Sequence, residues 1–187
     1  MQLSPRRLAA AFLLLTALAA LACAGDANVG ESGRPIPITP TPYVRPGLTP
    51  ALVTRVVDGD TIRVQIDGKE YRVRYIGIDT PETVDPRRPV QCFGKEASER
   101  NQQLVEGQTV GLEKDISEVD GFDRLLRYVW VGDVMVNTTL VEEGYALAST
   151  YPPDVRYAER FAALQVQARE ASRGLWGPAC GGSTAGP

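Results

Sequence analysis

Two short acidic runs, Asp58-Gly59-Asp60-Thr61 and Ile78-Asp79-Thr80-Pro81-Glu82, flank one expected β-hairpin. Arg74 lies between them, and a second arginine follows in Asp120-Gly121-Phe122-Asp123-Arg124. Asp60, Asp79 and the backbone carbonyl of Thr80 make an oxygen-only donor set, of the kind that suits Ca²⁺, or Mg²⁺ with more retained water. Arg74 and Arg124 would set forked guanidinium groups beside such a cation, where they stabilise charge growing on phosphoryl oxygens. Glu82 would orient or deprotonate an attacking water. Taken singly, each feature is ordinary. An Asp-Gly-Asp run is usually a turn, a Thr-Pro step is often a loop corner, and arginines on strands are commonly solvated. Their convergence around one hairpin is what points to a phosphodiester site.

Composition narrows the chemistry further. The 187 residues include no histidine, which excludes an imidazole general base, a phosphohistidine and histidine-ligated zinc. With 43% apolar and 23% charged residues, the chain has the make-up of one soluble domain plus extensions. Its 20 Lys+Arg stand against 23 Asp+Glu. That is not the balance of a protein that coats nucleic acid nonspecifically, so any such contact should be local.

The elements that must position these residues follow from periodicity. Residues 52–57 read as a strand, and 61–67 alternate with Ile62, Val64 and Ile66 on one face. Asp67-Gly68 is a strong two-residue hairpin turn, returning the chain as a third strand over 69–78. Such a turn sets Val73 opposite Ile62 and Arg74 opposite Thr61, bringing Arg74 to the Asp60 corner unless a bulge near Gly77 alters the register. Residues 95–106 have helical character, 109–115 and 124–131 read as strands, and 137–143 as a short helix. Asn137 opens the Asn137-Thr138-Thr139 sequon but is expected to cap that helix. The longest helix is expected over 154–173, stopped by Gly174. The order suggests an α+β domain: five strands closed into a small barrel under about three helices.

The ends of the chain carry different signals. Arg6 and Arg7 precede an apolar run, and Ala20-Leu21-Ala22 resembles a cleavage site, so residues 1–22 read as an export signal. Cys23 stands where a bacterial lipoprotein is cleaved and acylated; plain secretion is the alternative. The run is short for a membrane span, so any membrane contact would be through a lipid anchor. Residues 23–50 are rich in proline and read as a semi-rigid tether, 51–177 as the folded domain, and 178–187 as a tail carrying Cys180. With Cys23 acylated, Cys92 and Cys180 remain as a pair that an oxidising compartment would join. The alternative is two unpaired thiols packed as small apolar side chains.

Across 52–176 the chain resembles the staphylococcal nuclease (thermonuclease) family. The resemblance rests on Asp58-Gly59-Asp60-Thr61, on the run from Arg74 to Glu82 and on Asp120 to Arg124, in the family's order and spacing. Cys92-Phe93-Gly94-Lys95-Glu96-Ala97 and Gly174-Leu175-Trp176 match its flanking pattern. It implies an OB-fold barrel, monomeric, that cleaves DNA and RNA with calcium as an endonuclease, favouring single-stranded or frayed substrate. The bond broken is that between phosphorus and the 5′ oxygen, leaving 3′-phosphate ends. By the same resemblance Asp60, Asp79 and the Thr80 carbonyl hold calcium, Glu82 handles the water, and Arg74 and Arg124 clamp the phosphate. Gly121 and Phe122 replace a lysine and a tyrosine that grip a second, terminal phosphate in the best-known members, and Ser149 replaces another tyrosine. Tyr151 keeps its place and could stack on a base.

Of the cations that could track a nucleic-acid backbone (Arg63, Lys69, Arg72, Arg87, Arg88, Lys95), Arg87 and Arg88 after Glu82 are the expected substrate contacts. A silent OB-fold module that only binds nucleic acid is the alternative function. It would be expected to have lost some of Asp60, Arg74, Asp79, Glu82 or Arg124, and all five are present.

Overall fold

The computed structural model describes residues 43–83 and 91–180. The export signal, Cys23, most of the tether, Arg87, Arg88 and the last part of the tail lie outside the described residues. In chain order the elements are β1 (Thr49–Asp58), β2 (Thr61–Ile66), β3 (Lys69–Tyr75), β4 (Ile78–Asp79) and α1 (Gly94–Val105). There follow β5 (Thr109–Glu113), β6 (Leu125–Val131), β7 (Val134–Met135), α2 (Val136–Glu142), β8 (Leu147–Ala148) and α3 (Ala158–Glu170). Among the described residues no helix is long and apolar enough to cross a membrane.

The strict alternation of β2 decides its faces. Ile62 and Val64 are buried, whereas Gln65 is exposed, as the two-residue period of a strand requires. β1, β2 and β3 form an antiparallel meander, and β5 pairs antiparallel with both β1 and β6. A parallel pairing of β3 with β6, starting at Val73 opposite Leu125, closes the sheet. The result is the expected α+β architecture, a closed five-stranded OB-fold barrel with three helices. Its interior is filled by Val53, Val73, Val110 and Tyr128, with Leu140 of α2 and Phe161 of α3 packed into the same cluster. Each such side chain contributes roughly 1.5–3 kcal/mol by leaving water.

The hairpin register is the one that the turn dictates: Val73 faces Ile62 and Arg74 faces Thr61. Gly77 falls beyond the pairing and leaves it intact. β3 is shorter than expected, ending at Tyr75, because Gly77 at φ 77° takes the chain out of the extended conformation. The chain then pairs again as β4 with β8, Asp79 opposite Leu147. α3 begins at Ala158, four residues after Asp154, whose side chain is engaged elsewhere. Asn137 is no cap. It lies inside α2, fully buried, where its Oδ1 accepts the Val129 N–H and its Nδ2 donates to Ile76 O. Cys92 and Cys180 are joined in a disulfide with Cα atoms 5.8 Å apart.

Candidate active site

Asp60 is presented by the turn between β1 and β2. Gly59 allows this, since a Cβ there would lie 2.7 Å from Thr80 Oγ1 and 2.8 Å from Thr80 Cβ. With that space free, the Thr80 N–H reaches Asp60 Oδ2 at 2.8 Å, and the Thr61 hydroxyl reaches Oδ1 at 3.1 Å. Asp60 and Thr80 are both buried. Asp79, at the end of β4, holds its carboxylate in the open, its side chain 53% exposed.

Arg74 joins the two acids. Its Nη1 pairs with Asp60 Oδ2, and its Nη2 donates to Asp79 Oδ1 at 2.6 Å. Burial lowers the Arg74 pKa from its ordinary value, opposed by the Asp79 carboxylate and reinforced by the like charge of Arg124. A guanidinium remains a cation at neutral pH nonetheless.

Arg124 is fixed differently. Asp120 Oδ2 accepts from its Nε at 2.6 Å, while Oδ1 accepts the backbone N–H groups of Phe122 and Arg124. Burial disfavours charge on Asp120, but these donors outweigh it and hold the carboxyl below its ordinary range. The Arg124 guanidinium also stands 5.4 Å from the centre of the Phe122 ring.

A cavity of about 450 Å³ is lined by Asp60, Arg74, Asp79, Thr80, Glu82 and Arg124 together. Thus the five side chains singled out in the sequence, with Thr80, face one space. A neighbouring cavity of about 420 Å³ shares Arg74, Phe122 and Arg124 with it and extends to Gly121, Ser149 and Tyr151. Phe122 and Tyr151 stand 71% and 73% exposed on its lining. Of the other cations, Arg72 lines the first cavity and donates to Phe122 O at 2.6 Å, whereas Arg63 is paired with Glu70 and Lys95 with Glu99.

The donor chemistry fits a hard cation. Asp60 and Asp79 are both oxygen donors and already share one positive group, Arg74. Among the described residues no three acidic, cysteine or histidine side chains converge as a metal cluster. A calcium ion held by these two carboxylates would need the rest of its oxygen shell from backbone and water. Among the described residues the Thr80 hydroxyl beside them is buried without a hydrogen-bond partner, an orphaned oxygen at the same corner.

Three residues of this neighbourhood were not evident in the sequence. Asp58 is buried on the same cavity, with its Oδ1 accepting the Gly59 N–H and the Thr83 hydroxyl, each at 2.8 Å. Burial, with the nearby Glu82 carboxylate, raises its pKa. Asp120 supports Arg124, and Gln91 binds the backbone of Glu82. Asp58 and Asp120 stand in the quoted motifs, but only tertiary contact separates a supporting acid from a turn former. Gln91 carries no local signal at all.

Comparison with known proteins agrees with this geometry. Residues 72–178 match the family model described as staphylococcal nuclease homologue. The chain is 48% identical to the thermonuclease of Staphylococcus hyicus over 124 residues, covering 66% of this chain and 73% of that protein. It is 46% identical to the thermonuclease of Staphylococcus intermedius over 125 residues, covering 67% and 74%. Against endonuclease YncB of Bacillus subtilis (strain 168) the identity is 40% over 124 residues, covering 65% and 59%. With the closed barrel, the shared cavity and these matches together, the chain belongs to the staphylococcal nuclease family.

Proposed function

We propose that this protein is an exported, calcium-dependent nuclease that hydrolyses phosphodiester bonds of DNA and RNA internally and leaves 3′-phosphate ends. The observation that carries this reading is the single cavity onto which Asp60, Arg74, Asp79, Glu82 and Arg124 all open. Its relatives named thermonuclease and endonuclease support the same class of reaction.

In this reading Asp60, Asp79 and the Thr80 carbonyl hold the calcium, which supplies positive charge next to the phosphate. Arg74 and Arg124 bind the phosphoryl oxygens and stabilise their growing charge in the transition state. Arg124 arrives oriented by Asp120, whereas Arg74 rests on Asp60 and Asp79 and would exchange those carboxylates for the phosphate as calcium took its place on them. Glu82 orients the water and takes its proton as the oxygen bonds to phosphorus. The bond from phosphorus to the 5′ oxygen breaks, and the released 5′-hydroxyl strand takes a proton from solvent.

The adjoining cavity binds the nucleotide next to the cut. Phe122 and Tyr151 offer exposed ring faces there, and ring faces stack on any base that is free of a duplex. A single-stranded or frayed substrate supplies such a base. Gly121 and Phe122 offer no side-chain donor for a terminal phosphate, which favours internal cutting; a monomer is the proposed working form. Arg87 and Arg88 remain proposed backbone contacts, and the N-terminal segment a proposed export signal with Cys23 as lipid anchor.

End-group analysis of the products tests the reaction. Denatured DNA and RNA digested with calcium should yield fragments whose 3′ ends carry a phosphatase-removable group. Fragments with 3′-hydroxyl ends would overturn the proposed cleavage, and bound but uncut substrate would identify a silent binding module.

A further inference from the structure

The backbone of Glu82 is gripped by one residue nine positions further on. Gln91 Oε1 accepts the Glu82 N–H at 2.8 Å, and the Gln91 N–H donates to Glu82 O at 3.0 Å. Both main-chain polar groups of Glu82 therefore end on Gln91. The Gly94 N–H donates to Gln91 O at 3.1 Å and so ties this residue to the start of α1. That start is pressed onto the same backbone. A Cβ on Gly94 would lie 2.7 Å from Thr83 Cγ2 and 2.9 Å from Pro81 O.

The residue after Gln91 is Cys92, which is covalently bound to Cys180 across 88 residues of chain. Cys180 and Phe93 pack against Leu175 and Trp176 in a small apolar cluster of its own, apart from the barrel core. The Phe93 ring also stacks on Tyr145 at 5.2 Å. Residues 91–94 thus form a hook, anchored at one end in α1 and at the other in the C-terminal turn, whose free side holds Glu82. Cys92 is exposed, so the anchor is open to a dithiol, which would supply two electrons and two protons and leave two thiols.

We propose that Gln91 is a positioning residue for Glu82 and that the Cys92–Cys180 bridge fixes Gln91 in place. Reduction of the bridge then slows turnover in a chain that stays folded. This rests on Glu82 acting on the water, as read above. A carboxylate misplaced by an ångström loses much of its catalytic effect, whereas substrate affinity, carried by the arginines and the adjoining cavity, should change little.

The experiment measures kcat and KM of the full-length protein on heat-denatured DNA, well below each variant's melting temperature. Gln91→Leu, which lacks the acceptor, should lower kcat by about tenfold or more with KM within about twofold. Gln91→Glu keeps an acceptor for the Glu82 N–H and should recover most of that loss. Cys92→Ser with Cys180→Ser, or reduction of the wild type, should lower kcat in the same sense. In a Glu82→Gln background neither change should lower kcat further, since both act through Glu82. Should a variant melt too low for assay, hydrogen exchange of the Glu82 amide in the reduced wild type gives the second readout, and it should speed up. Full additivity with Glu82→Gln, equal kcat in Gln91→Leu and wild type, or unchanged exchange on reduction would overturn the proposal. Full activity of Glu82→Gln itself would instead strike the reading on which it rests.

Discussion

Replacing Asn101 by alanine should cost this domain a large part of its stability, because one amide serves two strands at once. Asn101 is fully buried on α1; its Nδ2 donates to Asp58 O at 3.1 Å, and its Oδ1 accepts the Tyr75 hydroxyl at 2.9 Å. Burial pushes the Tyr75 phenol well above its ordinary pKa, so it stays a donor across the accessible pH range. Asn101→Ala leaves that hydroxyl and the Asp58 carbonyl buried and unpaired, at about 1–3 kcal/mol each, with about 1 kcal/mol more for the vacated volume. The loss should come to about 4 kcal/mol, a large share of the roughly 5–15 kcal/mol of a native domain. At about 0.3 kcal/mol per degree for a domain of this size, Tm should fall by about 13 °C. Tyr75→Phe strands only the Asn101 carbonyl oxygen and should cost about 1–2 kcal/mol, with a coupling between the two changes of about 1 kcal/mol. Urea unfolding followed by the fluorescence of Trp130 and Trp176 measures all three variants. An Asn101→Ala loss below about 1 kcal/mol, or strict additivity, would refute the reasoning.

Three further outcomes follow from contacts described above. Replacing both Cys92 and Cys180 by serine frees a loop of 88 residues, which by chain entropy costs up to about 4–5 kcal/mol; calorimetry should show Tm lower by about 15 °C, and a change under about 3 °C would contradict this. Gly59→Ala forces a Cβ to within 2.7 Å of Thr80 Oγ1, so it should destabilise by about 1–3 kcal/mol in urea titration, and an unchanged midpoint would show that Thr80 yields freely. Burial disfavours charge on Asp154, but the N–H groups of Ser117 and Ile116, at 2.8 and 2.9 Å, outweigh it and hold the folded pKa below its ordinary value. Its contribution is therefore present above about pH 4 and is lost as pH falls through the folded pKa. Asp154→Asn should be less stable than wild type at pH 7, with the gap closing toward pH 3; a gap independent of pH would contradict the assignment.

The hairpin was legible because two local signals agree: Asp67-Gly68 fixes the turn, and Ile62, Val64 and Val73 fix the buried face. That register alone carries Arg74 to the Asp60 corner. The β4–β8 pairing was not legible, since two-residue strands show no periodicity and Ile78 and Leu147 are far apart in sequence. The start of α3 was misplaced because a helical pattern over 154–173 cannot reveal that Asp154 binds the backbone of Ile116 and Ser117. Asn137 misled for a similar reason. Its position fits a helix start, yet its amide spans from β6 to the end of β3. The acids and arginines of the site could be named in advance by their types and spacing. Their supports, Asp58, Gln91, Asn101 and Asp120, could not, because a polar residue becomes a support only through what the fold sets against it.

The central claim is that the cavity shared by Asp60, Arg74, Asp79, Glu82 and Arg124 performs metal-dependent phosphodiester hydrolysis. Its most direct test is the rate of cleavage of heat-denatured DNA by the purified full-length protein, in calcium and in chelator, for wild type and for Glu82→Gln. The account predicts cleavage that chelator abolishes and calcium restores, and a kcat lower by about 10²–10⁴ in Glu82→Gln with DNA binding retained. Equal cleavage by wild type and Glu82→Gln, with or without calcium, would contradict it.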